Sequence, residues 1–250
     1  MVDTDQAVDL FIRRLLLRSN LNLHEQEAIR SLPRISVRVH ARRDFVLPGA
    51  TVDHVSLVVA GVAARFDLMR DGSRAIAQFF VAGDVCDLPS LVAPRAGWGL
   101  TALSQVQLVQ IPLDALRRLV SAYPEIGAAF WRDSAADAGV LAKWVGNMGR
   151  KDAKARVAHL FCEMAVRIEA TGLGTRERFA LDITQEQIGD AMGLTPVHIN
   201  RTLMALREDN LIFLHSHVVE VIDWERLVSF AGFDEVFLLL DQPENARMAT

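Results

Sequence analysis

Residues 184–207 read TQEQIGDAMGLTPVHINRTLMALR and contain the signals for two helices separated by a tight turn. Thr184 opens a capping box, so the first helix is expected to begin there. Gly193 stands where a helix commonly ends in the left-handed conformation. Thr195 and Pro196 then supply an N-cap and a first-turn proline for the second helix. This order predicts a helix-turn-helix.

The second helix is predicted to be polar on its outward face. Val197, Asn200, Arg201 and Met204 recur there at helical spacing, opposite an apolar face that is expected to pack inward. Arginine is suited to bidentate contact with guanine, and asparagine to bidentate contact with adenine. A helical hairpin inside a core shares part of this pattern, but the coinciding glycines, caps and following hairpin favour DNA binding. The expected DNA contacts in this segment are Thr184, Gln185, Thr195, Val197, His198, Asn200 and Arg201.

Residues 211–222 are predicted to form two short strands around a turn at His215, Ser216 and His217. In a winged helix-turn-helix such a tip contacts the DNA backbone, which makes these three residues further candidates. We expect no metal site here, because no third ligand completes a recognised spacing with the two histidines.

Composition excludes several other classes of protein. The chain has 250 residues, a formal net charge of −4 and two cysteines, Cys86 and Cys162. It is therefore not a globally basic nucleic-acid binder, although a local basic face is compatible with this charge. Two cysteines are too few for a four-cysteine iron–sulfur cluster. The chain lacks the apolar run of ~18–20 residues that a membrane span needs, and its acidic N-terminus argues against a secretory signal, so a cytoplasmic location is expected.

The remaining pattern predicts an α+β fold with four parts. Residues 1–122 are expected to form an N-terminal antiparallel β-roll, a cupin-like barrel, with flanking helices, because short strands alternate with glycine turns. Residues 123–149 are expected to form a long helix and a hinge at Gly146 and Gly149. Residues 150–225 are the predicted winged helix-turn-helix, and residues 226–250 a C-terminal helix and tail.

One stripe of the long helix is apolar apart from two acids, Asp133 and Asp137, near its middle. This stripe fits two roles, packing on the roll of the same chain or forming a dimer seam. The candidate dimer residues are Ile126, Phe130, Leu141, Trp144 and Met148.

The order of barrel, long helix and winged helix-turn-helix resembles the bacterial Crp/Fnr superfamily of dimeric transcription regulators. The resemblance is carried by residues 57–62, 71–72 and 82–84 of the barrel and, more specifically, by residues 183–189, 193–203 and 210–212. It implies a homodimer that binds a palindromic promoter site, with RNA polymerase as a partner if the protein is an activator. Arg201 falls on the family's base-reading arginine. Val197 stands where glutamate is usual and Asn200 where serine or glycine is frequent, so the half-site sequence is expected to differ.

The sensory region departs further from the family pattern. Cyclic-nucleotide-binding members carry Gly-Glu for the ribose, whereas this chain has Cys86, Asp87 and Leu88 in that segment. The position of the phosphate-binding arginine is occupied by Ala96, and Arg95 lies one residue away. Cyclic AMP is therefore not the expected ligand, and no cofactor or metal is expected. The candidate effector-pocket residues are Cys86, Asp87, Leu88, Arg95, Ala96 and Trp98.

The sequence predicts a DNA-binding transcription regulator. The alternative is a ligand-sensing regulatory module whose DNA binding requires an unidentified effector or has been lost. An enzyme is disfavoured, because the chain has no P-loop, dinucleotide fingerprint, zinc helix motif or nucleophile elbow.

Overall fold

The fold is taken from a computed structural model of the chain, in which residues 4–240 are described. It is an α+β architecture, as the sequence predicts. The helices are α1 (Thr4–Leu16), α2 (Leu23–Arg30), α3 (Leu113–Ala122), α4 (Pro124–Arg150), α5 (Ala153–Ala170), α6 (Gln185–Met192), α7 (Pro196–Glu208) and α8 (Trp224–Ala231). The strands are β1 (Ile35–Val39), β2 (Asp44–Val46), β3 (His54–Ala60), β4 (Ala63–Leu68), β5 (Arg74–Phe80), β6 (Val85–Cys86), β7 (Gly99–Ala102), β8 (Val106–Pro112), β9 (Arg178–Ala180), β10 (Ile212–His215) and β11 (Val218–Val221).

The β-roll consists of two four-stranded antiparallel sheets, in the orders β1-β8-β3-β6 and β2-β7-β4-β5. Its interior is an apolar cluster that includes Val58, Phe80, Cys86 and Leu100. A bulge interrupts the pairing of β4 with β5 immediately after Arg65, which pairs with Gln78. Such bulges redirect side chains locally.

Both outer faces of the roll are covered. On one side, α1, α2, α3 and the start of α4 pack over β3 and β8, with Phe11 and Phe130 in ring contact at 5.8 Å between centroids. On the other side, Ile76 and Phe79 of β5 share one hydrophobic core with α5, α6 and α7. The C-terminal unit with the predicted helix-turn-helix is therefore docked on the roll rather than separated from it.

One apolar stripe of the long helix α4 packs against the rest of its own chain. Ile126, Phe130 and Trp144 are buried inside the monomer, which corrects their assignment to a dimer seam. Leu141 is half-buried and Met148 is exposed. The apolar stripe in the sequence thus records packing on the roll, because that face meets β5 and the N-terminal helices.

The predicted hinge is also corrected. Gly146 and Gly149 lie within α4, which continues to Arg150, and the chain changes direction at Lys151 and Asp152. Asp152 caps α5 by accepting a hydrogen bond from the Ala155 backbone N–H at 2.8 Å.

The C-terminal unit consists of α5 to α8 and a three-stranded sheet in the order β10-β11-β9. Its third strand, β9, is Arg178–Ala180. Helix α8 packs on α5 and begins at Trp224, so it crosses the predicted boundary at residue 225. The 3₁₀ turn Glu235–Leu238 lies on α4, and residues 241–250 of the predicted tail fall outside the described residues.

Candidate nucleic-acid interface

The helix-turn-helix begins and ends at the predicted residues. Thr184 and Gln187 form a reciprocal capping box at the start of α6. Gly193 ends α6 in the left-handed region, with φ +63°. Thr195 then caps α7 by accepting a hydrogen bond from the His198 backbone N–H at 3.3 Å. These local signals fix where α7 starts and therefore which residues occupy its first turns.

Gly189 allows the turn to pass close to α6. A Cβ at this position would lie 2.7 Å from the Leu194 carbonyl oxygen. That distance is far below ordinary van der Waals contact, so a side chain here would push the turn and the start of α7 outward. The glycine therefore sets the angle between the two helices.

The outward face of α7 is open to solvent. Val197 is 64% exposed and Met204 54%, while Ile199, Leu203 and Leu206 are buried below them. Asn200 and Arg201 are exposed. The Asn200 Nδ2 donates to Gln185 Oε1 at 3.3 Å, which links the first turns of α6 and α7. Seven predicted contact residues, Thr184, Gln185, Thr195, Val197, His198, Asn200 and Arg201, thus lie together on one exposed surface.

Positive charge continues beside this surface. A groove between the start of α5 and α7 is lined by Lys154, Arg156, His198 and Arg201, among others. Lys154 is paired with Asp209, whereas Arg201 extends from the open face. The residues that line this groove thus include Lys154, Arg156 and Arg201 against one acid, Asp152.

The wing is a two-residue hairpin. His215 pairs with Val218, and the turn residues Ser216 and His217 both have positive φ, +49° and +63°. Such angles suit the right-handed twist of a tight hairpin and are uncommon outside glycine and asparagine. His217 Nδ1 lies 3.2 Å from Asp182 Oδ1, so the tip is tied to the segment that leads into α6. All three predicted tip residues are exposed.

The predicted effector residues do not form one pocket. Cys86 and Ala96 lie in the interior of the roll, while Leu88 packs in the separate cluster under the N-terminal helices. Asp87 is buried and accepts a hydrogen bond from Ser90. Arg95 is exposed at the edge of the roll, bridged to Thr51, and this corrects its placement in a pocket. Burial raises the pKa of the Cys86 thiol, which disfavours the reactive thiolate.

Sequence reasoning missed Arg65, which occupies the interior instead of Arg95. It is 3% exposed and lies on β4, and its guanidinium stacks on the Trp98 ring at 4.3 Å from the centroid. The signal was present, because Arg65 is the charged residue in an otherwise apolar stretch, residues 62–66. Trp98, a predicted effector-pocket residue, lies beside this buried arginine.

Sequence reasoning also missed a buried ionic network between α1 and α4. Arg14 Nε donates to Asp133 Oδ1 at 2.8 Å, and Arg18 Nη1 donates to the same oxygen at 2.6 Å. Asp137 lies one turn further along α4, 3.5 Å from Arg14. The two acids in the apolar stripe of α4 are thus ion-pair partners of the N-terminal helix.

The same network reaches the DNA-binding unit. Asp84, in the turn after β5, forms ion pairs with Arg14 and with Arg167 of α5. Arg167 also donates to Glu163 at 2.8 Å, and Glu163 accepts from the Trp144 indole N–H at 2.7 Å. Four separate parts of the chain therefore share one buried set of charges.

Burial and charge act against each other at these acids. Burial works to raise the pKa of Asp133, but Arg14 and Arg18 outweigh it and hold that pKa below its usual value. At Asp137 burial prevails and raises the pKa. Burial likewise raises the pKa of Glu163, against the opposing effect of Arg167. Asp133 accepts hydrogen bonds from both Arg14 and Arg18, so its pKa is lowered while that of Asp137 is raised.

The β-roll and the exposed face of α7 define a DNA-binding regulator. Comparison with known proteins agrees. Residues 37–123 match the cyclic nucleotide-binding domain, and residues 155–230 match the Crp-like helix-turn-helix domain. The chain belongs to the Crp/Fnr superfamily of DNA-binding transcription regulators. No helix within residues 4–240 is long and apolar enough to cross a membrane.

Individual relatives are similar to this chain over about two thirds or more of its length. The transcriptional activator protein FnrL of Cereibacter sphaeroides is 26% identical over 199 residues, which cover 78% of this chain and 79% of that protein. The nitrogen fixation regulation protein FixK of Azorhizobium caulinodans is 30% identical over 164 residues, 66% of this chain and 65% of that protein. The structure of FixK2 from Bradyrhizobium japonicum superposes with a TM-score of 0.72 at 22% identity, covering 80% of this chain and 98% of that one.

Proposed function

We propose that this regulator binds a two-fold symmetric promoter site as a homodimer and that α7 reads the bases. The supporting observation is the exposed face of α7, where Val197, Asn200 and Arg201 stand on a helix whose opposite side is buried. In a helix-turn-helix the first turns of the second helix enter the major groove. Two copies related by a dyad would place their half-sites one helical turn apart, ~34 Å.

Each residue has a distinct proposed role. Arg201 contacts guanine, and Asn200, positioned by Gln185, contacts adenine. Val197 has no acceptor for cytosine but can contact a thymine methyl group. His198 is the fourth base-reading candidate. Phosphate contacts come from Thr184, Gln185, Thr195, His215, Ser216 and His217.

The proposed dimer seam is the outer stripe of α4. Trp131 is 78% exposed and Val145 73%, and the exposed alanines Ala135, Ala138 and Ala142 lie between them. These positions follow alternating steps of four and three residues, the spacing of a coiled-coil seam. An exposed tryptophan on a row of alanines favours close packing against a second copy of the helix. This stripe replaces the one suggested by the sequence.

Selection from random duplex DNA tests the binding proposal. The purified full chain is incubated at about 150 mM salt, where non-specific binding is weak. We expect enrichment of a palindrome without any added ligand. Enrichment only with an added ligand supports the alternative, a sensor whose DNA binding requires an effector. If neither condition enriches a sequence, the proposal is wrong.

We also propose that the protein is cytoplasmic, because the promoter DNA that it would bind lies there. RNA polymerase is the expected partner if the protein activates transcription. We propose regulation without a catalytic step, and we do not expect cyclic AMP as the ligand, since Ala96 occupies the position of the phosphate-binding arginine.

A further inference from the structure

The interior of the β-roll contains a positive charge with open hydrogen-bond donors. Arg65 projects inward from β4, opposite Gln78 of β5, at the point where a bulge interrupts the ladder. Its side chain is almost completely buried, and Nε and Nη2 have no hydrogen-bond partner within the described part of the chain. A buried guanidinium normally has its donors occupied, because an unmatched charge is costly to bury.

Two aromatic rings hold this guanidinium in place. Its central carbon lies 4.3 Å from the centroid of Trp98 and 5.5 Å from that of Phe80. The ring faces stabilise the cation, but they leave its N–H donors without a hydrogen-bond acceptor. The indole Nε1 of Trp98 is itself buried and without a partner among the described residues. Three donor nitrogen atoms on two stacked side chains are thus without a hydrogen-bond partner among the described residues.

The nearest carboxylates are occupied elsewhere. Asp137 accepts from Gln78 Nε2 at 3.0 Å and faces Arg14 at 3.5 Å. Asp87 accepts from the Ser90 hydroxyl. Both act on Arg65 through their charge and not through a hydrogen bond, and burial lowers the pKa of Arg65 in spite of them. Neither carboxylate therefore pairs with Arg65, and Gln78 Oε1, which is also buried without a partner among the described residues, is a neutral acceptor.

We propose that Arg65 and Trp98 form a binding site for a small oxyanion or carboxylate. Arginine recognises such groups because its planar donors match two oxygens at once. The stacked tryptophan fixes the plane of the guanidinium and adds a third donor. The exposed Arg95 takes no part in this site.

The position of the site gives it a route to the rest of the molecule, and its role as an effector site rests on the proposed regulatory function. Gln78 neighbours Arg65 across the ladder and bonds Asp137 of α4. Asp137 adjoins Arg14, which pairs with Asp84, the partner of Arg167 in the DNA-binding unit. An anion bound to Arg65 neutralises the positive charge that Asp137 faces. It therefore changes the electrostatic interactions that join Asp137 to Arg14, Asp84 and Arg167. It regulates DNA binding only to the extent that it binds two arrangements of the protein differently.

Binding is tested on the full chain by thermal unfolding and calorimetry. The probes are sodium formate, nitrate and phosphate, with sodium chloride at matched ionic strength as reference. We expect at least one probe to raise Tm by about 5 °C at a hundredfold excess over Kd.

Arg65→Met is expected to abolish this shift and to raise Tm in probe-free buffer, because it removes an unmatched buried charge. Trp98→Phe keeps the ring and removes one donor, and is expected to weaken binding about fivefold.

Arg74→Met is the matched control. Arg74 also stacks on a ring, Phe66, at 4.3 Å, but it is exposed and paired with Asp44. It is expected to leave the probe-induced shift unchanged. The proposal is overturned if no probe shifts Tm or if Arg65→Met retains the shift. If the protein selects a DNA sequence but binds no anion, the anion site is wrong and the proposed function stands. If it binds an anion but selects no DNA sequence, the proposed function is wrong and the anion site stands.

Discussion

Arg167 of the DNA-binding unit donates through Nη2 to Asp84 of the β-roll at 2.6 Å, across 83 residues of sequence. The same Nη2 donates to the Phe79 carbonyl oxygen at 2.9 Å. Around this pair, Gln187 of α6 donates to the Leu103 carbonyl oxygen at 2.9 Å. The orientation of the helix-turn-helix on the roll is therefore fixed by buried polar contacts as well as by apolar packing.

Replacing Arg167 is expected to be strongly destabilising. Arg167→Met leaves Glu163 with the Trp144 indole as its remaining partner and removes one of the two arginines from Asp84. Removing one partner of a buried pair costs about 3 kcal/mol or more. Urea unfolding measures the change. Arg178→Met removes an exposed pair with Glu220 and is expected to cost under about 1 kcal/mol; equal effects in the two variants would contradict a structural role for the buried network.

Removing Arg201 is expected to alter specificity rather than overall affinity alone. Arg201→Ala should relax the preference at one base pair per half-site and cost ~1–3 kcal/mol in binding. Repeating the DNA selection with the variant reads out both effects. Arg207→Ala is the control, because Arg207 lies in the last turn of α7 and stacks on Phe213 at 4.5 Å. Uniform weakening on every sequence would identify Arg201 as a phosphate contact.

A charge in the outer stripe of α4 is expected to abolish the dimer. Ala138→Glu places a carboxylate in the middle of the proposed seam, where it would be buried against its symmetry mate. Sedimentation equilibrium should then give a monomer with unchanged helical content. Ala122→Glu makes the same chemical change at the exposed end of α3 and should leave the dimer intact. A dimer that survives Ala138→Glu would place the interface on another surface.

Acid is expected to destabilise the DNA-binding unit through His159. Burial, helped by Lys151 and Lys143, lowers the pKa of this histidine to about 3. The unfolded chain binds the proton near pH 6.5, so stability is lost as pH falls from 6.5 toward 3. Between pH 7 and pH 5 the wild-type chain should lose about 2 kcal/mol more than His159→Phe.

The difference between these two chains isolates His159, because the other buried acids titrate alike in both. Phenylalanine at position 159 is expected to preserve the ring contact with Phe233, whose centroid lies 5.1 Å from that of the His159 ring. Urea unfolding at several pH values gives the profile. Parallel profiles for the two chains would show that His159 keeps an ordinary pKa in the folded state.

A methyl group at Gly189 is expected to disturb the turn. Gly189→Ala places a Cβ 2.7 Å from the Leu194 carbonyl oxygen, and the resulting displacement should cost ~1–3 kcal/mol. Gly127→Ala is the control, because its Cβ would be in ordinary contact with Val120 at 3.6 Å. Thermal unfolding should show a lower Tm for the first variant and an unchanged or higher Tm for the second. A neutral Gly189→Ala would mean that the turn relaxes freely.

The helix-turn-helix was predictable from the sequence because its signals are local. Thr184, Gly193 and Thr195 act on backbone groups within four residues of themselves, so their spacing fixes the ends of α6 and α7 wherever the segment lies. The exposed face of α7 follows from helical periodicity alone. The strands of the roll were equally readable from short apolar runs and glycine turns.

Tertiary structure decided which apolar and charged residues face which partner. The stripe containing Ile126, Phe130 and Trp144 has the period of a buried helix face, and periodicity does not say whether its partner is the same chain or a second one. Arg65 lies in β4 next to the bulge and is buried, whereas Arg95 forms an isolated bridge with Thr51 and is exposed. The sequence by itself therefore determined the helix-turn-helix and the α+β order of elements, because these depend on neighbours along the chain. The docking of the two units, the buried ion pairs and the interior arginine depend on residues far apart in sequence, and only the folded chain brings them together.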